Sequence, residues 1–472
     1  MKNINEIKLN EIFDKLSKNE LVKVVDVTFK EVHGKIAFHM FLANTKRYNK
    51  ELTGKINKNT IDILDKVYPG VYYKMSLIEK DIVHTILSGN LVLYIGTSLY
   101  RIICQSDLNR SISDSIIEPQ KIYSSRDGLT ESIETNVSLI QKRIKSTGFM
   151  CEQYLIGERS NTLVDILYID DIANKDNVKI VREKLETLNT ATIYSINDII
   201  YLFEKNSLFP LTAELGSPEI IAGCINEGQI CILIDQIPIA IVVPVNIFYY
   251  MTLKEGNYSN PVKTIYNRML IFICFFVSIG LLGIYSGILS FHSSSLSLIS
   301  ISAIKTSLKG STFPLFLEFI FITFVFDLLK LAASKSPKMN LQNLIITVGG
   351  LLIGQNAVNS GFISSFNLLI SAISYISSYA ITKNQRFIDA LSIVRLIIFL
   401  CGMVFGLFGV LIAIIFTFFE LSNLKSLNTP YLAPITPFIK KDFIEIFFGK
   451  RLFKRKKRNL SYDPLDKSKG DD

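Results

Sequence analysis

Long stretches without a single charged side chain fill the second half of the sequence, and they restrict the possible folds more than any other feature. Met269–Phe291 runs for 23 residues with no Asp, Glu, Lys or Arg. As an α-helix it would be about 35 Å long, more than the roughly 30 Å hydrocarbon core of a bilayer. A water-soluble helix of that length normally keeps a polar face. The stretch therefore predicts a membrane-spanning helix.

Further apolar segments follow this one, and they predict an all-α, multi-spanning membrane domain over 261–425. Phe313–Ala333 carries three ionisable residues, Leu341–Thr382 has no formal charge in 42 residues, and Leu396–Phe419 is a clean span containing several glycines. Each is long enough to cross a bilayer, and Leu341–Thr382 is long enough to cross twice.

The charge distribution predicts the orientation of these spans. The segment KRLFKRKKR at 450–458 has seven basic residues in nine, and such runs remain on the cytoplasmic side. The first thirty residues contain no signal-peptide core, so we expect the front part to be cytoplasmic as well. Two ends on one side require an even number of crossings. We predict four, with part of Leu341–Thr382 re-entrant.

The front half contains a repeated pattern. ILSGNLVLYIGTSLYRI at 86–102 and CINEGQICILIDQIPIAI at 224–241 each read as a helical lead, a glycine and two short strands. A matching strand precedes each copy, at 34–44 and at 161–172. We therefore predict a soluble α/β region of two related subdomains, 1–122 and 148–260, before the membrane domain and a basic cytoplasmic tail, 426–472.

A helix is predicted between the two subdomains, over 123–147. Ile133, Val137, Ile140 and Ile144 recur at helical spacing, and Thr130 is the predicted N-cap. One interpretation is a linker helix that joins the subdomains. The alternative gives Arg126 and Asp127, which precede it, a role in binding a ligand or a neighbouring subunit.

Composition argues against an enzyme and against a metalloprotein. The six cysteines show no CxxC spacing and the four histidines form no ligand pattern, so we expect reduced thiols, no metal and no cofactor. No GxxxxGK[ST] or GxGxxG motif occurs, which argues against nucleotide-driven transport. The net charge of +9 is concentrated at the C-terminus, so we assign it to membrane topology and expect no nucleic-acid partner.

Ionisable residues at membrane depth are expensive and usually functional. Asp327 and Lys330 are three residues apart, hence on one face of a helix, and are predicted to form an intramembrane ion pair. Glu318 has no basic residue within one helical turn. It is either a carboxylate that attracts cations to a pore or an interfacial carboxylate near the helix end.

The middle of Leu341–Thr382 is polar and rich in small residues. Its amides and glycines need partners in a lipid environment, which either water in a pore or a neighbouring helix could supply. The pore-lining candidates here are Gly350, Gly354, Gln355, Asn356 and Asn359. Close packing between helices is the alternative for the same residues.

Five motifs occur in this order along the chain: RDGLTESIETNVSLIQKRIKS (126–146), LYIDDIAN (167–174), ILIDQIPIAIVVP (232–244), VGGLLIGQNAV (348–358) and PYLAPITP (430–437). Together they resemble the A subunit of the GerA-type nutrient germinant receptors of spore-forming bacteria. The likeness covers roughly residues 20–440. One departure lies at 123–125, where the family commonly has a basic residue, Gly and Pro and this chain has Tyr, Ser and Ser.

The resemblance implies a non-enzymatic function. It implies a channel subunit of the spore inner membrane that forms a homo-oligomer, a pentamer, around a path for monovalent cations. It also implies a transporter-like B subunit that senses the nutrient and a lipoprotein C subunit as partners. The alternative is a membrane-anchored sensor or scaffold subunit with no conducting path.

Overall fold

The structure is a computed structural model that describes most of the chain. We call residues 21–251 the head and residues 261–423 the bundle. The described residues are 21–29, 32–43, 72–75, 79–95, 98–102, 127–205, 207–251, 261–292, 313–334, 361, 363–448 and 458–468, with 9, 11–14, 16–17, 19, 302, 355, 358 and 359.

Two five-stranded antiparallel sheets form the head, and their strand orders correspond. The first sheet runs β1-β2-β4-β5-β3 and the second runs β6-β7-β9-β10-β8. The two sheets thus have the same strand order. The strands are β1 Val22–Phe29, β2 Val32–His39, β3 Tyr72–Met75, β4 Leu91–Ile95, β5 Ser98–Ile102, β6 Phe149–Ile156, β7 Thr162–Ile169, β8 Ala213–Leu215, β9 Ile230–Ile234 and β10 Ala240–Val243.

The two repeat glycines end equivalent helices in the same way. Helix α1, Glu79–Leu87, leads to Gly89 with φ of 84°, and helix α5, Pro218–Ile225, leads to Gly228 with φ of 93°. In both copies the glycine and the residue after it donate backbone hydrogen bonds into the last turn of the helix. Positive φ favours glycine at such a helix end. The glycine therefore turns the chain from helix into strand.

The second sheet is covered by helices on both faces. Ile230 and Ile232 of β9 face helices α3 and α4, whereas Cys231 and Leu233 face helices α2 and α5. This alternation is the two-residue period of a strand buried on both sides. The covering helices not yet given are α2 Ile133–Gln141, α3 Lys175–Glu186 and α4 Ile196–Glu204; α6 Ile247–Met251 follows the sheet.

Helix α2 corrects the prediction for the segment between the subdomains. It begins after Ser132, whose side chain accepts from Thr135 N, so Thr130 is not its N-cap. Ile133, Val137 and Ile140 are buried in the core of the second subdomain. The helix is therefore shorter than 123–147 and packs as part of that subdomain, because its apolar stripe needs the sheet to cover it.

Four helices are described in the bundle: α7 Pro261–Phe291, α8 Leu315–Ser334, α9 Ser365–Ile381 and α10 Gln385–Asn423. Helices α8 and α9 run antiparallel to α7. Tyr285 near the far end of α7 contacts Phe319 of α8 and Asn367 of α9, whereas Ser278, nearer the head, accepts from Ser374. Helix α8 thus ends near the head, and α9 begins at the end of the bundle that is farthest from the head.

Helix α10 is a hairpin of two helical arms, which corrects the prediction of one clean span over Leu396–Phe419. Gly406 has φ of 66° and ψ of −152°, which breaks the helix. Ile398 lies against Gly283 before the break, whereas Phe418 stacks with Phe276 after it at 6.3 Å, so the second arm returns along α7. The arms, 385–405 and 407–423, are about 31 Å and 25 Å long.

Length and composition mark two described helices as able to cross a membrane, Val262–Phe291 and Gln385–Asn423, and Ser365–Ile381 is apolar but shorter. Most of the large exposed apolar side chains of the described residues lie between 262 and 419. Phe405, Phe408 and Ile376 are each about two-thirds exposed. A water-soluble monomer rarely shows apolar surface of this extent.

After the bundle the chain returns to the head and binds it. The short strands β11 Lys425–Ser426 and β12 Thr429–Pro430 precede helix α11, Lys440–Phe448. We call 458–468 the strap. Leu465 N donates to Ile172 O at 2.8 Å, and Asn174, the N-cap of α3, donates its side-chain amide to Asp463 at 2.8 Å. Much of the described part of the predicted tail is therefore packed on the second subdomain.

Candidate functional site in the helical bundle

A buried arginine is the most unusual residue of the bundle. Arg395 lies on the first arm of α10 and is 1 % exposed. Its guanidinium stacks over the ring of Tyr375 at 3.6 Å and donates to the hydroxyls of Ser378 at 3.0 Å and Ser392 at 3.2 Å. Hydrogen bonds and the ring face offset part of the cost of burying this cation. No carboxylate lies within salt-bridge distance of it in the described part of the chain.

Tyr375 connects Arg395 to an acidic residue on another helix. The Tyr375 hydroxyl lies 3.2 Å from Asp327 Oδ1 and 3.2 Å from Thr323 O, both on α8. The three side chains of Arg395, Tyr375 and Asp327 therefore form a chain of contacts across α10, α9 and α8. We call these three residues the triad. The Asp327 carboxylate is itself exposed on the outside of the bundle.

The predicted ion pair between Asp327 and Lys330 is wrong. Lys330 pairs instead with Asp389 on α10, while Asp327 is held by Tyr375 on α9. Both contacts join different helices. The helical spacing correctly placed the two residues close to each other, but partners on neighbouring helices compete for them.

One face of α9 carries a buried stripe of small polar residues. Asn367, Ser371, Ser374 and Ser378 recur at intervals of four, three and four residues, and all are buried. Ser374 Oγ donates to Ser278 O on α7 at 2.9 Å. Small polar side chains allow helices to approach closely and to exchange hydrogen bonds where lipid offers none.

Glu318 is buried inside the protomer, which corrects its assignment as a pore-lining residue. It is 0 % exposed, and its carboxylate accepts from Ser364 N and from Asn367 Nδ2, the latter at 2.8 Å. Ser364 is the N-cap of α9, so the negative charge lies at the positive end of that helix. Glu318 therefore fastens the start of α9 to α8.

We expect Glu318→Ala to destabilise the bundle, because it removes the carboxylate that accepts the buried hydrogen bonds from Ser364 N and Asn367 Nδ2. Unsatisfied buried donors cost about 1–3 kcal/mol. Thermal unfolding of the purified full chain, followed by circular dichroism, should show the loss. Glu420→Ala, which removes an exposed carboxylate from the same bundle, is the matched control. Equal melting of the two variants would contradict the fastening role.

The remaining predicted site residues are only partly described. Gln355 and Asn359 are helical, four residues apart and exposed on this single chain, whereas Gly350, Gly354 and Asn356 lie outside the described residues. Asp127 pairs with Arg143 at 2.8 Å within the second subdomain. Arg126 also lies outside the described residues, so its predicted role as a ligand or subunit contact stays a prediction.

A second cluster joins the head to the bundle. Arg386, in the first turn of α10, pairs with Glu204 at the end of α4 and with Glu214 of β8, the latter at 2.8 Å. Glu204 also accepts hydrogen bonds from the backbone of Leu211 and from Thr212. Burial raises the pKa of the Glu204 carboxyl, and Arg386 and the hydrogen bonds act in the opposite direction. We call Arg386, Glu204 and Glu214 the junction.

Aromatic packing surrounds the junction. Phe387 stacks on Tyr250 at 4.9 Å and contacts Phe209 at 6.1 Å, and the Tyr250 hydroxyl donates to Thr212 O at 2.6 Å. Burial raises the pKa of the Tyr250 phenol well above its ordinary value, so this hydroxyl remains a donor. A displacement of the head at this point therefore has to move the start of α10.

Sequence reasoning missed Arg395, Asp389 and Arg386. The predicted span began at Leu396, directly after Arg395, because charged residues were used to mark where a span ends. A signal was available in the printed sequence: Arg386, Asp389 and Arg395 directly precede an apolar run and follow a serine-rich segment.

Among the described residues no group of three or more His, Cys, Asp or Glu could hold a metal ion. The five described cysteines are free thiols, and Cys104 lies outside the described residues.

These features define a class of protein: an α/β head of two sheets with corresponding strand order, joined to an apolar helical bundle with ionisable residues inside it. A family profile described as Bacillus/Clostridium GerA spore germination protein matches residues 8–461. The chain belongs to this family, whose members named below are spore germination proteins. The resemblance seen in the sequence motifs is thus confirmed.

Curated relatives agree with the family profile. The chain is 32 % identical to Spore germination protein XA of Bacillus anthracis over 360 residues, 75 % of this chain and 72 % of that protein. It is 26 % identical to Spore germination protein KA of Bacillus subtilis (strain 168) over 409 residues, 86 % and 75 % of the two chains.

A solved structure is also similar to part of the chain. It is the crystal structure of the N-terminal domain of the A subunit of the Bacillus megaterium spore germinant receptor GerK3. The match covers 50 % of this chain and 92 % of that one, with 19 % identity and a TM-score of 0.37.

Proposed function

We propose that this protein is the A subunit of a nutrient germinant receptor and that it passes monovalent cations when the receptor is activated. In this proposal copies of the chain form a ring, a pentamer, in the spore inner membrane. A transporter-like B subunit senses the nutrient, and a lipoprotein C subunit completes the complex. The head and the C-terminal region face the cytoplasm. The chain itself catalyses no reaction.

The described helix ends support six crossings rather than four. The break at Gly406 turns one predicted span into two arms, which adds a crossing. Helix α8 ends towards the head and α9 starts at the opposite end, so the chain between them connects the two ends of the bundle. Six is an even number, as two termini on one side require.

Two exposed amides in a segment that apolar helices flank in the sequence are the observation that carries the channel proposal. Gln355 and Asn359 are exposed on the single chain, in a part of the sequence whose neighbours are apolar helices. Lipid supplies no hydrogen bonds to such groups. In a ring of subunits around water they are satisfied, and the exposed carboxylate of Asp327 would attract cations to the same assembly.

The junction supplies a route by which a partner can open the assembly. A partner that binds the open state better than the closed state shifts the equilibrium by its difference in binding free energy. Arg386 connects Glu204 of the head to α10, and α10 also carries Asp389 and Arg395. A movement of the head would therefore reach the triad through one helix.

Flux through vesicles tests the channel proposal. With purified receptor complex in liposomes and germinant present, we expect release of monovalent cations. Gln355→Leu with Asn359→Leu should reduce the flux strongly, because an apolar wall no longer stabilises hydrated ions. Ile376→Leu, a change at an exposed apolar position of α9, is the control. Undiminished flux in the double variant, or no flux from the parent complex, would overturn the proposal.

A non-conducting sensor or scaffold is the second candidate. It is favoured by Glu318 and Arg395, which are satisfied inside one protomer and so serve assembly rather than conduction. In that case the Gln355 and Asn359 variants would lose assembly of the complex while ion flux remained absent throughout.

A further inference from the structure

Helix α11 lies at the level where the charged part of α7 gives way to its uncharged part. Arg268 is the last charged residue of α7 before the uncharged stretch from Met269 to Phe291. Its Nη1 donates to Ile446 O of α11 at 2.9 Å. This contact holds α11 at the boundary between the head and the apolar bundle.

Apolar and aromatic side chains are exposed at this boundary. Phe438, just before α11, is 66 % exposed, and its ring contacts Phe443 at 5.6 Å. Ile444 of α11 and Val262 and Tyr266 of α7 are exposed as well. One exposed apolar residue needs no explanation, but several at one level on adjacent elements indicate an interaction surface.

The described charged side chains on the outer side of this surface are basic. Lys440 of α11 and Lys263 of α7 are exposed, and Lys441 is half-buried. The acidic residue in the first turn of α11, Asp442, is buried instead and accepts from the backbone and hydroxyl of Ser461, at 2.8 and 2.9 Å. The described side chains of the first turn of α11 thus present basic groups outward.

We propose that α11, Phe438 and the head-side end of α7 form a collar that binds the anionic surface of a lipid bilayer. This inference rests on the proposed membrane placement of the bundle. An anionic bilayer is the occupant because the lysines complement phosphate headgroups and because the collar continues the exposed apolar surface of α7. Aromatic side chains such as Phe438 lie at the acyl boundary.

The collar also connects the bilayer surface to the head. Asp442 holds Ser461 of the strap, and the strap binds the second subdomain through Asn459 to Glu227 and Leu465 to Ile172. Lipid binding at α11 therefore fixes the position of the head relative to the bilayer.

The absence of tryptophan from the chain makes a direct test possible, since each Trp substitution is a single fluorescent reporter. The full chain carrying Phe438→Trp is reconstituted in vesicles of phosphatidylcholine and phosphatidylglycerol, with or without brominated acyl chains. We expect short-wavelength emission and loss of most of it in the brominated vesicles. Tyr194→Trp, at a position 87 % exposed on the head, should keep its emission.

A third reporter separates this inference from the membrane placement itself. Phe416→Trp, in the second arm of α10, lies at an exposed bundle position and should be quenched. Quenching at position 416 without quenching at 438 would overturn the collar and leave the membrane placement intact. No quenching at either position would overturn both. Short-wavelength emission at 438 without quenching would show a protein contact there and would also overturn the collar.

Charge reversal tests the anionic part of the proposal. In Phe438→Trp protein, replacing phosphatidylglycerol by phosphatidylcholine should reduce the quenching. Adding Lys440→Glu and Lys441→Glu should remove this dependence on lipid charge, whereas Lys205→Glu, on the exposed surface of the head, should retain it. Dependence that survives in the Lys440→Glu, Lys441→Glu protein would overturn the role of the lysines.

Discussion

Gly283→Ala is expected to disrupt the packing of α7 against α10 and to cause a large loss of stability. A Cβ at position 283 would lie 2.7 Å from a side-chain carbon of Ile398 and 2.9 Å from its backbone oxygen. The backbone cannot move aside as a flexible side chain can. Overpacking of this kind typically costs about 1–3 kcal/mol and occasionally more.

Gly280→Ala is the matched control for this substitution. It lies three residues earlier on the same helix, and its Cβ would meet the nearest atoms at 3.8 and 4.0 Å, an ordinary contact distance. We expect Gly280→Ala to fold and melt like the parent, while Gly283→Ala yields less folded protein and melts lower in detergent. Both variants carry the same change in helix propensity, so equal melting temperatures would contradict the close approach of the two helices.

Arg386→Gln is expected to have the second large effect, because it leaves a buried carboxylate without its cation. The Glu204 side chain is 13 % exposed and Glu214 is 22 % exposed. Removing one partner of a buried pair costs about 3–5 kcal/mol. Thermal unfolding of the full chain measures the loss, and germination of spores carrying the variant measures whether the head still communicates with the bundle.

The loss from Arg386→Gln should depend on pH. Burial raises the pKa of Glu204, and Arg386 is the first group that opposes this effect. Without Arg386 the pKa of Glu204 in the folded protein rises further above its pKa in the unfolded chain. At pH values between these two pKa values the folded protein therefore binds more protons than the unfolded chain does. Stability then falls as pH rises through that window. We expect Arg386→Gln to be least destabilised in mildly acidic buffer and most destabilised near neutrality.

Two further variants make the junction test specific. Lys383→Gln removes the same charge three residues earlier, at an exposed position, and should melt like the parent. Adding Glu204→Gln to Arg386→Gln removes the more deeply buried of the two carboxylates that lose their cation, and it should recover part of the lost stability and reduce the added pH dependence. A pH-independent loss in Arg386→Gln alone would show that packing, rather than charge, holds the junction.

The repeated α/β head was predictable from the sequence because strand pairs and helix-ending glycines leave local signals. Gly89 and Gly228 mark equivalent turns, and the strands at 34–44 and 161–172 correspond to β2 and β7. Asn174 caps α3 by accepting hydrogen bonds from the backbone of its first turn. These features depend on neighbouring residues, so the sequence contains what is needed to place them.

The bundle site was harder to predict because its partners are distant in sequence. Asp327 and Lys330 lie three residues apart, yet their contacts come from Tyr375 and Asp389. The sequence predicts one span for the glycine-rich α10. Gly406 breaks the helix and Gly402 only packs closely, but the residues next to each of them do not distinguish the two glycines. The contacts that each glycine makes with α7 decide which of them turns the chain.

The hairpin in α10 has a consequence for how the protein is made. During synthesis the ribosome completes α7 more than a hundred residues before the Gly406 turn brings two further arms alongside it. Until then the glycine-containing face of α7 is not packed against α10, and the interior of the bundle is incomplete. The interior of the bundle is therefore completed late in synthesis, when the second arm of α10 packs against α7.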